Sequence, residues 1–242
     1  MGLKVAFCCV FHQSSKHRPN GFEYLNQNIE SLFTHCKYPF KFFGVDNESE
    51  DKFEIENESE NLQIIRNNNQ KQTGTTGAWN LGIKEAVKQN FDIILAINDD
   101  LIFNNTINNF IKIISEHPYK DNCIFGPVSN NPNNLYQLSE GPIDKIFQIS
   151  GQPKNELNGF VQGMTRETIL NNLFDENGNF YSSLPEHRWG GYEVEIGKRV
   201  NYSIVVGNCF VYHFKQSIED DKLGQRGWRL LRKTTEFEEK NG

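Results

Sequence analysis

With 242 residues and a net charge of −6, the chain suits one α/β domain with a sizeable core, and its acidity argues against nucleic acid as a partner. No apolar stretch approaches the length of a membrane span, and the opening MGLKVAFCCVFHQ is too short an apolar run for a secretory signal. The five cysteines, Cys8, Cys9, Cys36, Cys123 and Cys209, have neither metal nor redox spacing, which points to reduced thiols and a cytoplasmic setting.

Taken in chain order, KVAFCCVF reads as a buried strand. GFEYLNQNIESLFTHC then places Phe22, Leu25, Ile29, Leu32 and Phe33 on one helical face. FKFFGVD and LQIIRN are strands, and the first ends in Asp46. GAWNLGIKEAVKQ predicts a helix, FDIILAI a fully buried strand, and TINNFIKIISEH a helix with Ile107, Phe110, Ile111 and Ile114 inward and Thr106 as its cap. CIFGPV is a further strand. This order predicts an open, mostly parallel sheet covered by helices on both faces.

Beyond residue 128 the pattern loosens. SNNPNNLYQLSEGP reads as loop, and IFQIS and GFVQGM as short strands. TRETILNNLF predicts a helix capped by Thr165, with Thr168 three residues on. YEVEIGKRV reads as a helix, and YSIVV and CFVYHF as two strands. From Ser217 onward the chain is charged and amphipathic, with the pattern of a helical tail.

The stretch AINDDLIFNN poses a chemical question. The strand FDIILAI ends in Asn98, Asp99 and Asp100, and adjacent carboxylates repel unless something positive offsets them. In open α/β sheets ligands bind outside the carboxyl ends of the strands, so Asp46 and the Asn98–Asp100 group are expected to share one crevice.

Several segments, in order from about residue 4 to about residue 217, resemble the GT-A fold glycosyltransferases, most closely the family-two-like nucleotide-sugar transferases. VDNESED is similar to their segment after the second strand, and QTGTTGAWNLGI to the segment that walls the nucleotide. AINDDLIF is similar to their DxD segment, with Asn98 in place of the first acid. GFVQGMTRETILNNLFDE resembles their acceptor-side strand and helix. WGGYEVEIGKR resembles the segment that supplies the catalytic base, with Tyr192 where an acid is usual. VYHFKQS resembles the segment whose His completes a metal site.

The resemblance implies a single domain over 1–242, with a nucleotide-binding half to residue 128, an acceptor and catalytic half over 129–216, and the tail 217–242. A smaller mixed-sheet region is expected on the acceptor side. Asp46, Gly74, Asn80, Asn98 and Asp99 would bind the nucleotide sugar, with UDP the favoured nucleotide. Asp100 and His213 would hold Mn2+ (or Mg2+), and that cation would be the positive partner of the acids. Glu193 would be the general base of an inverting transfer to a glycan or other hydroxyl acceptor, with Trp189, Gly190 and Gly191 lining the acceptor.

The chemistry agrees with these residue types. A diphosphate is a poor leaving group until its charge is neutralised, and a cation on hard oxygen ligands does this as a Lewis acid. The attacking hydroxyl must lose its proton, which a partly desolvated carboxylate accepts. Trp79 is either a stacking surface for the base or a core residue. Glu195 and Arg199 are spaced as an i,i+4 pair. Three rivals remain open: an inert nucleotide- or sugar-binding module on the same fold, a sugar-phosphate nucleotidyltransferase, and a two-carboxylate glycoside hydrolase. The loop HQSSKHRPNG lacks the glycine run of the nucleotidyltransferases.

Four N-x-[ST] sequons, at Asn47, Asn57, Asn104 and Asn201, belong to the same argument about compartment. Two lie beside the segments assigned to the site, where a glycan would block it, which again favours the cytoplasm.

Overall fold

The computed structural model describes residues 2–16, 18–51, 59–67, 74–132, 134–149, 157–181 and 192–214, with the side chains of 192–195 left aside. Strands β1 (Val5–Phe11), β2 (Phe40–Asp46), β3 (Leu62–Arg66) and β4 (Ile93–Ile97) run parallel in the order β3-β2-β1-β4. Their carboxyl ends therefore lie along one rim, with Phe11 beside Asp46 and Asp46 beside Arg66. β4 is buried at all five positions, which is why its sequence is a continuous apolar run without alternation.

The sheet then changes direction. β8 (Val161–Thr165) pairs antiparallel with both β4 and β6 (Cys123–Ser129), and β6 pairs parallel with the long β9 (Tyr202–His213). β5 (Leu101–Ile102) and β7 (Ile146–Ile149) both pair antiparallel with β9. This region is the mixed part of the sheet expected on the acceptor side. The two strands expected at YSIVV and CFVYHF are one strand with an irregularity: its partner on β6 passes from Pro127 to Val128 while β9 passes from Val206 to Phe210. Gly207 sits in that irregularity, where an added Cβ would lie 2.6 Å from the carbonyl oxygen of Lys145, so no side chain fits.

Helices α1 (Gly21–His35) and α3 (Ile107–Glu116) pack on one face of the sheet. There Leu25, Ile29, Leu32, Ile107, Phe110, Ile111 and Ile114 join Phe7, Phe42 and Leu95 in one core layer. α2 (Gly74–Lys88) covers the other face with Trp79, Ile83 and Ala86 against Cys8, Phe43 and Ile94. α4 is a short helical turn (Arg166–Thr168) that continues as a π-turn (Ile169–Leu173), and α5 spans Tyr192–Arg199. Within the described residues no helix is long and apolar enough to cross a membrane.

Three local expectations are corrected. Phe33 is 36% exposed and rests edge-on against Phe40, because α1 turns that position to the rim of its apolar face. Thr106 stands at the N-cap of α3 but makes no cap bond: its hydroxyl bonds the Asn104 side chain at 2.6 Å and accepts from the Phe210 N–H at 3.0 Å. α2 begins at Gly74, a turn before the expected start. Thr165 does cap α4, accepting from the Thr168 N–H at 3.1 Å.

Candidate active site

A pocket opens at the carboxyl rim of the parallel strands. Val10, Phe11 and His12 line it from β1 and the loop that follows, Asn47 from the end of β2, and Thr75 and Trp79 from α2. Asn98, Asp99 and Asp100 come from the end of β4, and Arg18 from the loop between β1 and α1. The strand ends hold these groups rigidly. The Asn98 N–H donates to the Phe160 carbonyl at 2.9 Å, and the Asn98 carbonyl accepts from the buried Asn28 side chain at 3.0 Å.

The positive partner of the two acids is Arg18. Its Nη1 bonds Asp99 Oδ2, and its Nη2 lies 3.5 Å from Asp100 Oδ2. Both acids are buried, at 6% and 7% exposure, so the pairing offsets charges that would otherwise be costly to remove from water. Arg18 is aimed by its loop. Its N–H donates to the Ser14 carbonyl at 2.7 Å, and its carbonyl accepts from the Gly21 N–H at 2.9 Å. Its guanidinium lies 5.9 Å from the centre of the Tyr24 ring, and Tyr24 stacks on Phe214 at 4.3 Å.

Asp100 divides its two oxygens. Oδ2 faces Arg18, while Oδ1 lies 3.2 Å from His213 Nε2. That approach is close enough for an ion pair but misaligned for a hydrogen bond, so buried Oδ1 has no hydrogen-bond donor among the described residues. The imidazole is fixed from its other side, with Nδ1 3.1 Å from the Asn131 carbonyl, and it stacks on Phe160 at 5.6 Å. Burial alone would lift Asp100, but contact with His213, the imidazole's charge and Arg18 together hold it below the ordinary carboxylate range. Burial lifts Asp99 above that range, against the pull of Arg18 and with help from Asp100. The two adjacent carboxyls are thus driven apart in acidity.

These observations test whether a divalent cation fits. One buried carboxylate oxygen without a donor and one imidazole nitrogen, its partner nitrogen bonded to a carbonyl, make a mixed oxygen and nitrogen pair of the kind a cation takes up. The described residues contain no group of three or more His, Cys, Asp or Glu able to hold a metal by themselves. Two protein donors still suffice where substrate phosphates and water complete the shell, as is usual for Mg2+.

The other expected residues fall as follows. Asp46 sits at the end of β2, and its Oδ1 accepts from the Ser49 N–H at 2.9 Å, which shapes the turn carrying Glu48 at φ 59°. The residue that lines the pocket at this strand end is its neighbour Asn47. Asn47 is buried and bonds Asn67 through its carboxamide, so a glycan on this sequon is incompatible with the fold. Gly74, at φ 80°, opens α2 in the left-handed region, where a side chain is strained.

Asn80 does not line the pocket. Its carboxamide accepts from the Tyr181 N–H at 2.8 Å and donates to the Tyr181 carbonyl at 3.0 Å, so it braces a wall in place of the nucleotide contact expected of it. Trp79 combines both of its readings, being 3% exposed against Tyr181 and also part of the pocket lining. Trp189, Gly190, Gly191 and the tail from Ser217 lie outside the described residues. Glu193 lies in the first turn of α5, and its side chain is outside the described set. Arg199 closes the same helix by donating to the Leu173 and Phe180 carbonyls at 2.9 and 3.2 Å.

The description Glycosyl transferase family 2 matches residues 19–183. The chain belongs to this family. Solved structures share its GT-A fold. S. aureus TarS 1–349 superposes with a TM-score of 0.58 at 16% identity, over 90% of this chain and 62% of TarS 1–349. The same TarS fragment in complex with UDP gives 0.59 at 15% identity, over 90% and 62%. GalNAc-T7 with UDP, GalNAc and Mn2+ gives 0.60 at 15% identity, over 88% of this chain and 44% of that one. The chain thus spans about three fifths of the length of TarS 1–349. No curated protein matches it.

Arg18 is the site residue that sequence reasoning missed. Its signal was indirect: two buried-looking carboxylates required a cation, and an arginine stood in the loop after β1. Asn28, which fixes the Asn98 carbonyl, gave no sign beyond being, with Ser31, a polar residue on the buried face of α1.

Proposed function

We propose that this chain is a metal-dependent glycosyltransferase that moves a sugar from a nucleoside-diphosphate sugar, with UDP as the nucleotide, to a hydroxyl acceptor with inversion. The observation that carries the reading is Asp100, which lines the pocket at the carboxyl rim beside the Arg18 guanidinium and whose Oδ1 stands 3.2 Å from Nε2 of His213, a residue outside the lining. Family membership supports the reaction class. That TarS and GalNAc-T7 are solved with UDP supports the nucleotide.

The roles follow from the chemistry of the side chains. Asp100 and His213 would hold Mn2+ or Mg2+, which supplies Lewis-acid neutralisation of the departing diphosphate. Asn47, Thr75 and Trp79 also line the pocket and suit the base and ribose. Asp46 and Gly74 shape the turns that precede or follow these residues in the chain. Asn98 and Asp99 meet the ribose or the transferred sugar, and Asp99 is steadied by Arg18. Glu193 accepts the proton of the attacking hydroxyl, and its place in the sequence pattern WGGYEVEIGKR is what supports that role. Trp189 would offer an aromatic face to an acceptor ring, with Gly190 and Gly191 letting the chain bend around it.

The test is to incubate the protein with a panel of nucleotide sugars, with Mn2+ or with EDTA, and to read the nucleoside diphosphate released. Release from one donor in Mn2+ but not in EDTA is the expected result. Nucleotide binding without release from any donor, across a panel of acceptors, would leave an inert binding module on this fold.

A further inference from the structure

We propose that Arg18 makes cation loading at Asp100 and His213 contingent on the donor, so that metal and nucleotide bind as a coupled pair. This rests on the metal-dependent reading above and assigns Arg18 a part which that reading does not contain.

The argument begins with charge. Asp99 and Asp100 bring two negative charges, and the guanidinium, shared between Asp99 Oδ2 and Asp100 Oδ2, removes one of them. With His213 neutral, as a metal ligand must be, what remains for a divalent cation at Asp100 Oδ1 is one net negative charge, with a fixed positive group on the other oxygen of the same carboxylate. Arg18 keeps its proton. A guanidinium is protonated at any ordinary pH. In the absence of a donor these residues therefore make a poor cation site, because the field of the guanidinium is only weakly screened in a buried cluster.

A diphosphate reverses the balance. Arg18 lines the pocket, and its planar fork is suited to phosphate oxygens. Phosphate charge placed on the guanidinium offsets the repulsion that Arg18 exerts toward Asp100. The same phosphate offers further oxygen ligands to a cation that has only two protein donors. Both effects favour cation and diphosphate together over either alone, and linkage requires the coupling to be reciprocal.

The loop geometry shows that this placement is built into the fold. Gln13 is fully buried and donates from its side chain to the Gly21 carbonyl at 3.2 Å, and the Gly21 N–H closes the turn onto the Arg18 carbonyl. A Cβ at Gly21 would press on the end of the Gln13 side chain and meet Arg18 Cδ at 3.3 Å, so the turn is closely packed where it brings Arg18 round onto the acids.

The experiment is calorimetric titration of Mn2+ into the full chain, with and without saturating UDP, for the wild type, Arg18→Lys and Arg18→Gln. Circular dichroism checks that each is folded. The wild type is expected to bind Mn2+ more tightly with UDP by a factor on the order of ten or more. Arg18→Gln is expected to bind Mn2+ more tightly than the wild type without UDP, and to show a clearly smaller factor, the part that remains coming from the phosphate oxygens that ligate the cation directly. Arg18→Lys, which keeps the charge, is expected to retain most of it. A merely structural role would weaken every titration alike and leave the ratio unchanged. Equal Mn2+ affinity with and without UDP in the wild type would overturn the proposal whether or not the variants fold. So would an undiminished ratio in Arg18→Gln. Absence of Mn2+ binding even with UDP would overturn the metal assignment itself, a result separate from loss of the coupling alone.

Discussion

The Phe214 N–H donates to the Asp100 carbonyl at 3.1 Å. Together with the antiparallel pairing of Leu101 and His213, this bond ties the end of β9 to the segment that carries the acids. The carboxylate and the imidazole are therefore held by backbone at both ends, and their 3.2 Å separation does not depend on long flexible side chains. Asp100→Asn keeps the shape and removes the charge. UDP affinity in Mn2+ should fall at least about tenfold, toward the value measured in EDTA, since a cation held by few ligands depends on each charge. Titration of UDP in the two buffers checks this, and unchanged affinity in Mn2+ would contradict the assignment.

Glu193→Gln should leave UDP affinity within about twofold and lower transfer by about two to four orders of magnitude, the usual contribution of a positioned base. Donor binding and turnover are to be measured on the same preparation. Full turnover in the variant would remove Glu193 from the reaction.

Asn80 carries a prediction about stability. Its carboxamide satisfies both backbone groups of Tyr181, a fully buried residue that also packs on Trp79. Asn80→Ala strips those partners and should cost about 1–3 kcal/mol in urea unfolding, the range for buried polar groups left unsatisfied. The cost should appear with or without nucleotide. A variant as stable as the wild type, with weakened UDP binding, would return Asn80 to the donor contact.

The cysteines give a dependence on pH. Burial pushes Cys36 up to about 11, and Cys123 and Cys209 up to about 12, above an ordinary value of 9.0. Burial also raises Cys8 and Cys9, Cys8 beyond that range. An acid whose pKa is higher in the fold than in the unfolded chain contributes stability that is complete below 9.0 and is lost as pH rises through the folded value. The thermal midpoint should therefore decline steadily from about pH 9 upward. Alkylation of Cys36, the least buried of the five, should accelerate about tenfold per pH unit until near pH 11. A midpoint that stays flat between pH 9 and pH 11 would contradict this.

Much of the fold was legible wherever burial imposes a period. β4 is enclosed on both faces, so FDIILAI could hardly be anything but an interior strand, and α3 repeats its apolar residues on a single face. Asp99 and Asp100 were legible as a pair at a strand end, whereas His213 was expected beside them only from the resemblance, and the structure sets it 3.2 Å from Asp100. Arg18 was not legible, because its bond to Asp99 spans 81 positions and no local pattern marks a pairing that only the closed sheet creates. β5 escaped for a related reason. Two residues carry no period, and Leu101 and Ile102 form a strand only because His213 and Tyr212 lie opposite. The resemblance assigned Asn80 to the nucleotide, and nothing local shows that its carboxamide is taken up by a backbone segment 101 residues away.

Cys8 and Cys9 adjoin in β1, and the pleat sends them to opposite faces. Cys9 packs with Phe7, Leu25 and Phe110, and Cys8 with Trp79, Ile83 and Phe43. Consecutive thiols here are unsuited to bridging each other, yet each is a native probe of a different layer. Cys9→Ala loosens the side that supports α1 and α3, and Cys8→Ala the side that supports α2. Two neighbouring codons therefore give separate handles on the two halves of the interior, and comparing the single and double substitutions would measure how far one side of the sheet senses the other.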